Sequence, residues 1–214
     1  MRPVVTLGLK LVAGTAAFLL LGNLAILAAS WWAQGTTSAV PVDDVIGISN
    51  LTAVDGRVWR GAAPSEEGYR NLAAAGVTTI VDLRAEDGIE ADAQLVSELG
   101  MRLVSIPIRD GQAPSSDKVE QFLAAARASE GTVFVHCGAG VGRTGAMVGA
   151  YLVSQAEAGR GDALRRNLAV GPPSLEQLAF VVGLEAGDID RPGPLLTAVS
   201  RVLDAPRRLW SRLS

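Results

Sequence analysis

One stretch restricts the folding of this chain more than any other: His136-Cys137-Gly138-Ala139-Gly140-Val141-Gly142-Arg143-Thr144-Gly145. It follows Thr132-Val133-Phe134-Val135, a β-branched and aromatic run that reads as a buried strand. A helical pattern with few breakers runs on from Arg143 to about Ala158. The order is therefore strand, glycine-rich turn, helix. Such a turn aims successive backbone N–H groups into one concavity, and the helix N-terminus adds the positive end of its dipole. Gly138, Gly140 and Gly142 let the backbone close around an anion without Cβ clashes. Arg143 offers a planar fork for two phosphate oxygens. Cys137 is the only cysteine of the chain and His136 the only histidine. Cys137 sits at the mouth of the cradle, where amide dipoles and Arg143 favour its thiolate.

A lone cysteine is most often a small buried hydrophobe, and a glycine-rich turn alone could hold a nucleotide. Neither reading accounts for Cys, Arg and Thr at this spacing. A thiol protease needs a base facing the sulfur. Adjacent residues at a strand end point in different directions, and there is no second histidine.

Cys-x5-Arg with His before the Cys and Thr after the Arg resembles the signature loop of the protein tyrosine and dual-specificity phosphatases. A rhodanese-like sulfurtransferase has a similar loop, but with fewer residues between Cys and the basic group. The resemblance implies that Cys137 is the nucleophile that takes the phosphoryl group as a thiophosphate. It implies that Arg143 and the amides of Gly138, Ala139, Gly140, Val141 and Gly142 hold the phosphate oxygens. Thr144 would hydrogen-bond the Cys137 sulfur and ease its departure, and His136 would orient the loop from behind. It implies no metal and no organic cofactor.

Upstream, Arg57 to Arg60 reads as a short strand. A helix capped by Ser65 runs to Ala75 and stops at Gly76. Val77 to Leu83 is a strand, about Ile89 to Leu99 a helix, Met101 to Ile106 a strand, and about Asp117 to Ser129 a helix. Alternation of this kind argues for an α/β fold with a mostly parallel central sheet flanked by helices. The layout from about Arg57 to Ala186 resembles the small dual-specificity-like phosphatases, whose N-terminal half is similar to RGAAPSEEGYRNLAAAGVTTIVDLR. Arg84 is read as structural, bracing the phosphate loop. Asp110 lies in the loop after the Met101–Ile106 strand, 137 − 110 = 27 positions before Cys137. That place matches the general acid of the family, although the Trp that precedes this Asp in the larger tyrosine phosphatases is missing. Asp117 is the rival, better suited to the first turn of the next helix. Ser174-Leu175-Glu176-Gln177 is a capping-box pattern opening a helix to about Ala186. Gln177 matches the second of two water-orienting glutamines in larger tyrosine phosphatases, Pro173 stands where the first would be, and capping is the competing role of Gln177.

From Leu11 to Trp32 the chain carries no charged residue. At about 1.5 Å per residue the run spans roughly a 30 Å hydrocarbon core. Arg2 and Lys10 precede it, while Asp43, Asp44 and Asp55 follow it before the first basic residue, Arg57. The positive-inside rule then places the N-terminus in the cytoplasm and the catalytic domain outside. A signal sequence cleaved near Ala28-Ala29-Ser30 is the alternative and would give a secreted product. The expected organisation is an anchor or signal over 1–33, a linker over 34–50, a phosphatase domain over 51–188 and a C-terminal tail over 189–214. Arg201, Arg207, Arg208, Arg212 and Trp210 make that tail weakly basic and amphipathic, either a membrane-surface segment or a helix packed on the domain.

The net charge of −3 gives no reason to expect a nucleic-acid partner, and one cysteine excludes an internal disulfide. The residues between Cys137 and Arg143 include no Lys or Arg. Phosphoinositide phosphatases often place Lys there, so the expected substrate is a phosphorylated protein, above all at tyrosine, or a small phosphomonoester. A phosphoinositide or phospholipid-head-group phosphatase and an inactive phosphate-binding module are the alternatives.

Overall fold

A computed structural model describes the chain except residues 1, 38–39, 43–44, 86–88, 186–188, 190–191 and 211–214. Asp43, Asp44, Ala186 and Arg212 of the sequence reading lie outside the described residues, as do the side chains of Arg207, Arg208 and Trp210.

The sheet has five strands, β1 (Thr52–Ala53), β2 (Val58–Gly61), β3 (Val77–Asp82), β4 (Arg102–Ser105) and β5 (Thr132–His136), in the order β1-β2-β5-β3-β4. β5 is central and parallel to both β2 and β3; β4 pairs parallel with β3, and β1 is an antiparallel edge. The period-2 alternation of β5 divides the core. Val133 and Val135 join Val58, Val81, Phe122, Met147 and Val181 on one face, while Phe134 packs with Tyr69, Leu72, Ile80 and Val96 on the other. α4 (Ser116–Ala128), α5 (Gly142–Ser154) and α7 (Leu175–Gly183) cover the first face. α2 (Glu66–Ala74) and α3 (Ile89–Glu98) cover the second. α6 (Arg160–Val170) packs on α5 and α7.

The expected strands and helices are present, with most boundaries shifted by a residue or two and the ends of α5 and α7 by three or four. Ser65 caps α2 by accepting from the Gly68 N–H, and Gly76 follows with φ +86°. The capping box at Ser174 and Gln177 is complete. The short β1 was not expected; two residues are too few for a periodic signal. α5 ends at Ser154, earlier than the pattern suggested, and Ala156 takes φ +57°, which no α-helix continues.

α1 (Arg2–Thr36) is one helix of about 52 Å, and its Ala13–Thr36 part is long and apolar enough to cross a membrane. Its second half also docks on the domain. Ser30 Oγ donates to Leu168 O at 2.7 Å, Asn23 Nδ2 donates to Leu203 O, and Ala33 is fully buried. On the opposite side Phe18, Leu20, Leu21, Leu24, Leu27, Trp31 and Trp32 are exposed. The helix therefore runs past position 33 and has one covered and one bare apolar side. The tail forms α8 (Pro194–Trp210), which packs on α7 and α1 and buries Ser200, Leu203 and Asp204, while Arg201 faces solvent.

Candidate active site

The signature loop leaves the C-terminal end of the central strand, where ligands bind in open parallel sheets. Its shape follows from where its carbonyls go. His136 O accepts from Leu83 N at 2.9 Å and Gly138 O from Ala63 N at 3.0 Å. Cys137 O accepts from His136 Nδ1 at 3.3 Å and Ala139 O from Asn50 Nδ2 at 2.9 Å. Gly140 O and Val141 O accept from Arg60 Nη2, at 2.7 and 3.3 Å. The six consecutive carbonyls thus bond to other protein groups around the loop, which leaves the loop N–H groups to serve its concave side. Gly140 has φ +72°, and a Cβ there would lie 2.4 Å from the Gly61 carbonyl carbon, so the loop and the end of β2 meet backbone to backbone. α5 begins at Gly142 with no side-chain cap and no acidic residue in its first turn, and its positive end joins the cradle.

Cys137 is buried at the base of the loop, at 3% exposure. Arg143, also buried, donates from Nη1 to Ile108 O at 3.1 Å, and its Nη2 lies 3.5 Å from Asp110 Oδ1. The Asp110 side chain is about two-thirds exposed. A cavity of about 150 Å³ is lined by Cys137, Arg143, Asp110, Ala139, Val141 and Gly142 of the expected site, closed by Gly111, Pro172, Pro173, Ser174 and Gln177. The fold therefore brings Cys137, Arg143 and Asp110 together. Asp117 lies in the first turn of α4, exposed, and is not among the lining residues.

His136 stacks on Phe134 with ring centroids 5.6 Å apart and meets Tyr69 edge-on, fully buried. Burial pushes its imidazole down to about 4, so the ring is neutral at physiological pH and Nδ1 carries the proton donated to Cys137 O. Thr144 departs from expectation. Its hydroxyl is buried and has no hydrogen-bond partner among the described residues, so the bond to the Cys137 sulfur is not made here. In the first turn of α5 the side chain is fully buried. Arg84 also differs: it pairs with Asp82 and Asp92 rather than with the loop, and those hydrogen bonds raise its pKa further. Its contact with the site is indirect, through the Asp82–Leu83 corner that holds His136 O.

Gln177 has its polar atoms engaged. Oε1 accepts from Ser174 N at 2.9 Å and Nε2 donates to Gln112 O at 3.1 Å. With Ser174 Oγ donating to Gly111 O and Glu176 Oε1 accepting from Ala113 N, the N-terminus of α7 clamps the loop that carries Asp110. The sequence reading missed this clamp, and also Asn50, Ala63 and Arg60, which hold the loop from outside. Only Arg60 left a trace in the sequence, as a charge inside a short apolar strand. Burial pulls its guanidinium down to about 10, still charged at neutral pH, and the field of Cys137 opposes the shift.

Comparison with known proteins bears on the family and the fold. A family model described as DSP-PTPase phosphatase fused to NAD+ kinase matches residues 40–183. A probable chloroplastic NAD kinase 2 of Oryza sativa subsp. japonica is 36% identical over 96 residues, 42% of this chain and 10% of that one. The dual specificity protein phosphatase CDC14AB of Danio rerio is 38% identical over 77 residues, 36% of this chain and 12% of that one. The chain thus spans about a tenth of the length of these curated relatives. Among solved structures, P. aeruginosa TpbA superposes with TM-score 0.56 at 24% identity over 76% of this chain and 95% of that one. The core catalytic domain of the PP-IP phosphatase SIW14 from S. cerevisiae gives 0.58 at 19% over 68% and 91%. At these identities the structures establish the fold, and the family match spans more than half of the chain. The chain belongs to the DSP-PTPase phosphatase family, as a small dual-specificity-like member.

Proposed function

We propose that the chain hydrolyses phosphomonoesters through Cys137, with phosphotyrosine as its main substrate and phosphoserine or phosphothreonine as further ones. The observation that carries this is the outward bonding of the carbonyls from His136 to Val141 around a loop that also holds Cys137, Arg143 and, across the cavity, Asp110. In the first step the Cys137 sulfur attacks phosphorus and the P–O bond to the leaving group breaks. Asp110, protonated for that step, gives its proton to the departing oxygen. Arg143 and the inward amides carry the charge spread over the equatorial oxygens. In the second step Asp110, now a carboxylate, takes a proton from water as the water attacks the thiophosphate. The P–S bond breaks and the sulfur leaves as thiolate. The hydroxyl of Thr144, unpaired in this structure, is the group we assign to the sulfur as it gains charge.

The lining of the cavity supports a singly phosphorylated ester. Arg143 is the only cation among the described residues that line it, and Asp110 opposes a second phosphate. The CDC14 relatives are named as dual specificity protein phosphatases, and TpbA has a structure in complex with pTyr. A phospholipid-head-group phosphatase is the second reading, favoured by the bare apolar side of α1. We place the chain at a membrane, uncleaved and with its catalytic domain on the outer side: cleavage near Ser30 would remove the Asn23 contact with α8, and the bare apolar side of α1 is the one that meets lipid.

A panel of phosphopeptides, inositol phosphates and phospholipid head groups, run with wild type and Cys137→Ser, tests the proposal. Phosphopeptides should turn over fastest, and Cys137→Ser should lose turnover while still binding vanadate. Turnover retained by Cys137→Ser would refute the mechanism; preference for head groups would select the second reading.

A further inference from the structure

Behind the signature loop lies a second cavity, larger than the catalytic one at about 240 Å³. It opens where α1 ends and is lined by Thr36, Thr37 and Val40, by β1, and by α5 and α6. Three guanidinium groups border it, those of Arg60, Arg165 and Arg166. Among the described residues the only carboxylate in its lining is Asp162, which pairs with Arg165 and with Arg166, each at 2.7 Å. Those two arginines hold Asp162 below the usual carboxylate range, so it stays ionised and accounts for one of the three positive charges. Among the described lining residues an excess of two remains, beside an apolar wall of Val54, Val148, Leu152, Ala169 and Val170.

Arg60 is the unusual member. It is 3% exposed and has no ion-pair partner among the described residues. Its Nη2 holds two loop carbonyls, but among the described residues its Nε has no hydrogen-bond partner, and neither has the buried hydroxyl of Thr37 on the same cavity. A buried cation paired only with backbone carbonyls is costly unless an anion completes it. We propose that this cavity is a second anion site, taking a phosphate monoester with an apolar tail: the phosphate lies against Arg60, Arg165 and Arg166 and the tail against the valine and leucine wall. The site is distinct from the catalytic cradle. Its ligand meets the same guanidinium that fixes Gly140 and Val141, so occupancy bears on the loop from its back.

The test uses the full chain in detergent. Cys137 is the only cysteine, so iodoacetate carboxymethylates one residue and fills the catalytic cradle with a carboxylate. Calorimetric titration with hexyl phosphate should still show one equivalent bound. Affinity should fall at least tenfold in the Arg165→Ala/Arg166→Ala double variant, and inorganic phosphate should bind more weakly than hexyl phosphate. Arg165→Lys/Arg166→Lys should recover part of the affinity, which separates loss of the site from loss of the fold. Phosphatidic acid in the micelles then identifies the source: displacement of hexyl phosphate points to a lipid head group, and no displacement to a soluble ester. Absence of binding to the carboxymethylated protein, or equal binding by the double alanine variant, would overturn the proposal without touching the catalytic reading.

Discussion

His136 makes the stability of the fold depend on pH in a calculable way. The ring is fully buried between Phe134 and Tyr69, and its folded-state pKa is about 4 against an ordinary 6.5. Between those values the unfolded chain binds a proton that the folded chain refuses. Stability is therefore fully present above about pH 6.5 and falls as the pH drops toward 4. The whole difference corresponds to about 3 kcal/mol at 1.36 kcal/mol per pH unit, and about 2 kcal/mol of it is lost between pH 7 and 5. For a domain of this size that is a fall in Tm of roughly 4–8 °C. Carboxylates titrate too, so the reading must be differential. His136→Asn keeps a donor for Cys137 O and removes the titrating ring. Melting curves of both proteins at pH 7 and pH 5 should show the wild type losing about 2 kcal/mol more than the variant over that interval. The variant will melt lower at both pH values because it loses the stacking, so only the difference in slope counts. Equal pH losses in the two proteins would mean that His136 does not titrate between folded and unfolded states as its burial requires.

Asp110→Asn should slow hydrolysis of tyrosyl phosphate by about 10²–10⁴-fold, the usual cost of losing a general acid, but slow an activated aryl phosphate much less; Asp117→Asn, away from the cavity, should do little, and kcat/KM for the two ester types measures the contrast. In Gly145→Ala the new Cβ would lie 1.6 Å from Asn167 Oδ1, a clash in the first turn of α5. It should cost about 1–3 kcal/mol by overpacking, visible in chemical denaturation, and Asn167→Ala in the same chain should restore most of it. Protease added to intact spheroplasts should digest the catalytic domain while carbonate washing leaves the chain in the membrane fraction; a protected domain would reverse the proposed orientation, and a soluble product shortened near Ser30 would show cleavage.

The phosphate loop could be read from sequence because its chemistry is local: strand, glycines, Cys, Arg and helix start are contiguous from Thr132 to Gly145. The sheet was readable for a related reason, since each crossover of a parallel fold leaves its own strand and helix periodicity in order. What was not readable depends on residues far apart in the chain. Nothing near Asn50 or Ala63 announces a bond to a carbonyl at 139 or 138. Gln177 has the spacing of both a cap and a water-orienting residue, and only the positions of Ser174 and Gln112 show that its amide is already engaged. The docking of α1 was hidden because lipid and a protein surface ask for the same apolar residues; Asn23 and Ser30, two of the three polar residues in the run, are the ones that reach the domain.

The outward bonds of the phosphate loop also order its assembly. The donors to Ala139 and Gly140 come from residues 89 and 80 positions earlier, and a further donor, Leu83 N, comes from the end of a different strand. Closing such long loops is slow relative to forming the α5 helix or a single turn. A chain that has made β5 and α5 but has not yet seated β2 and β3 beside them possesses Cys137 and Arg143 without a cradle. Phosphate turnover should consequently be among the last properties to return on refolding, after helix content and after compaction. A fragment beginning beyond Ala63 should keep the thiol and lose the chemistry.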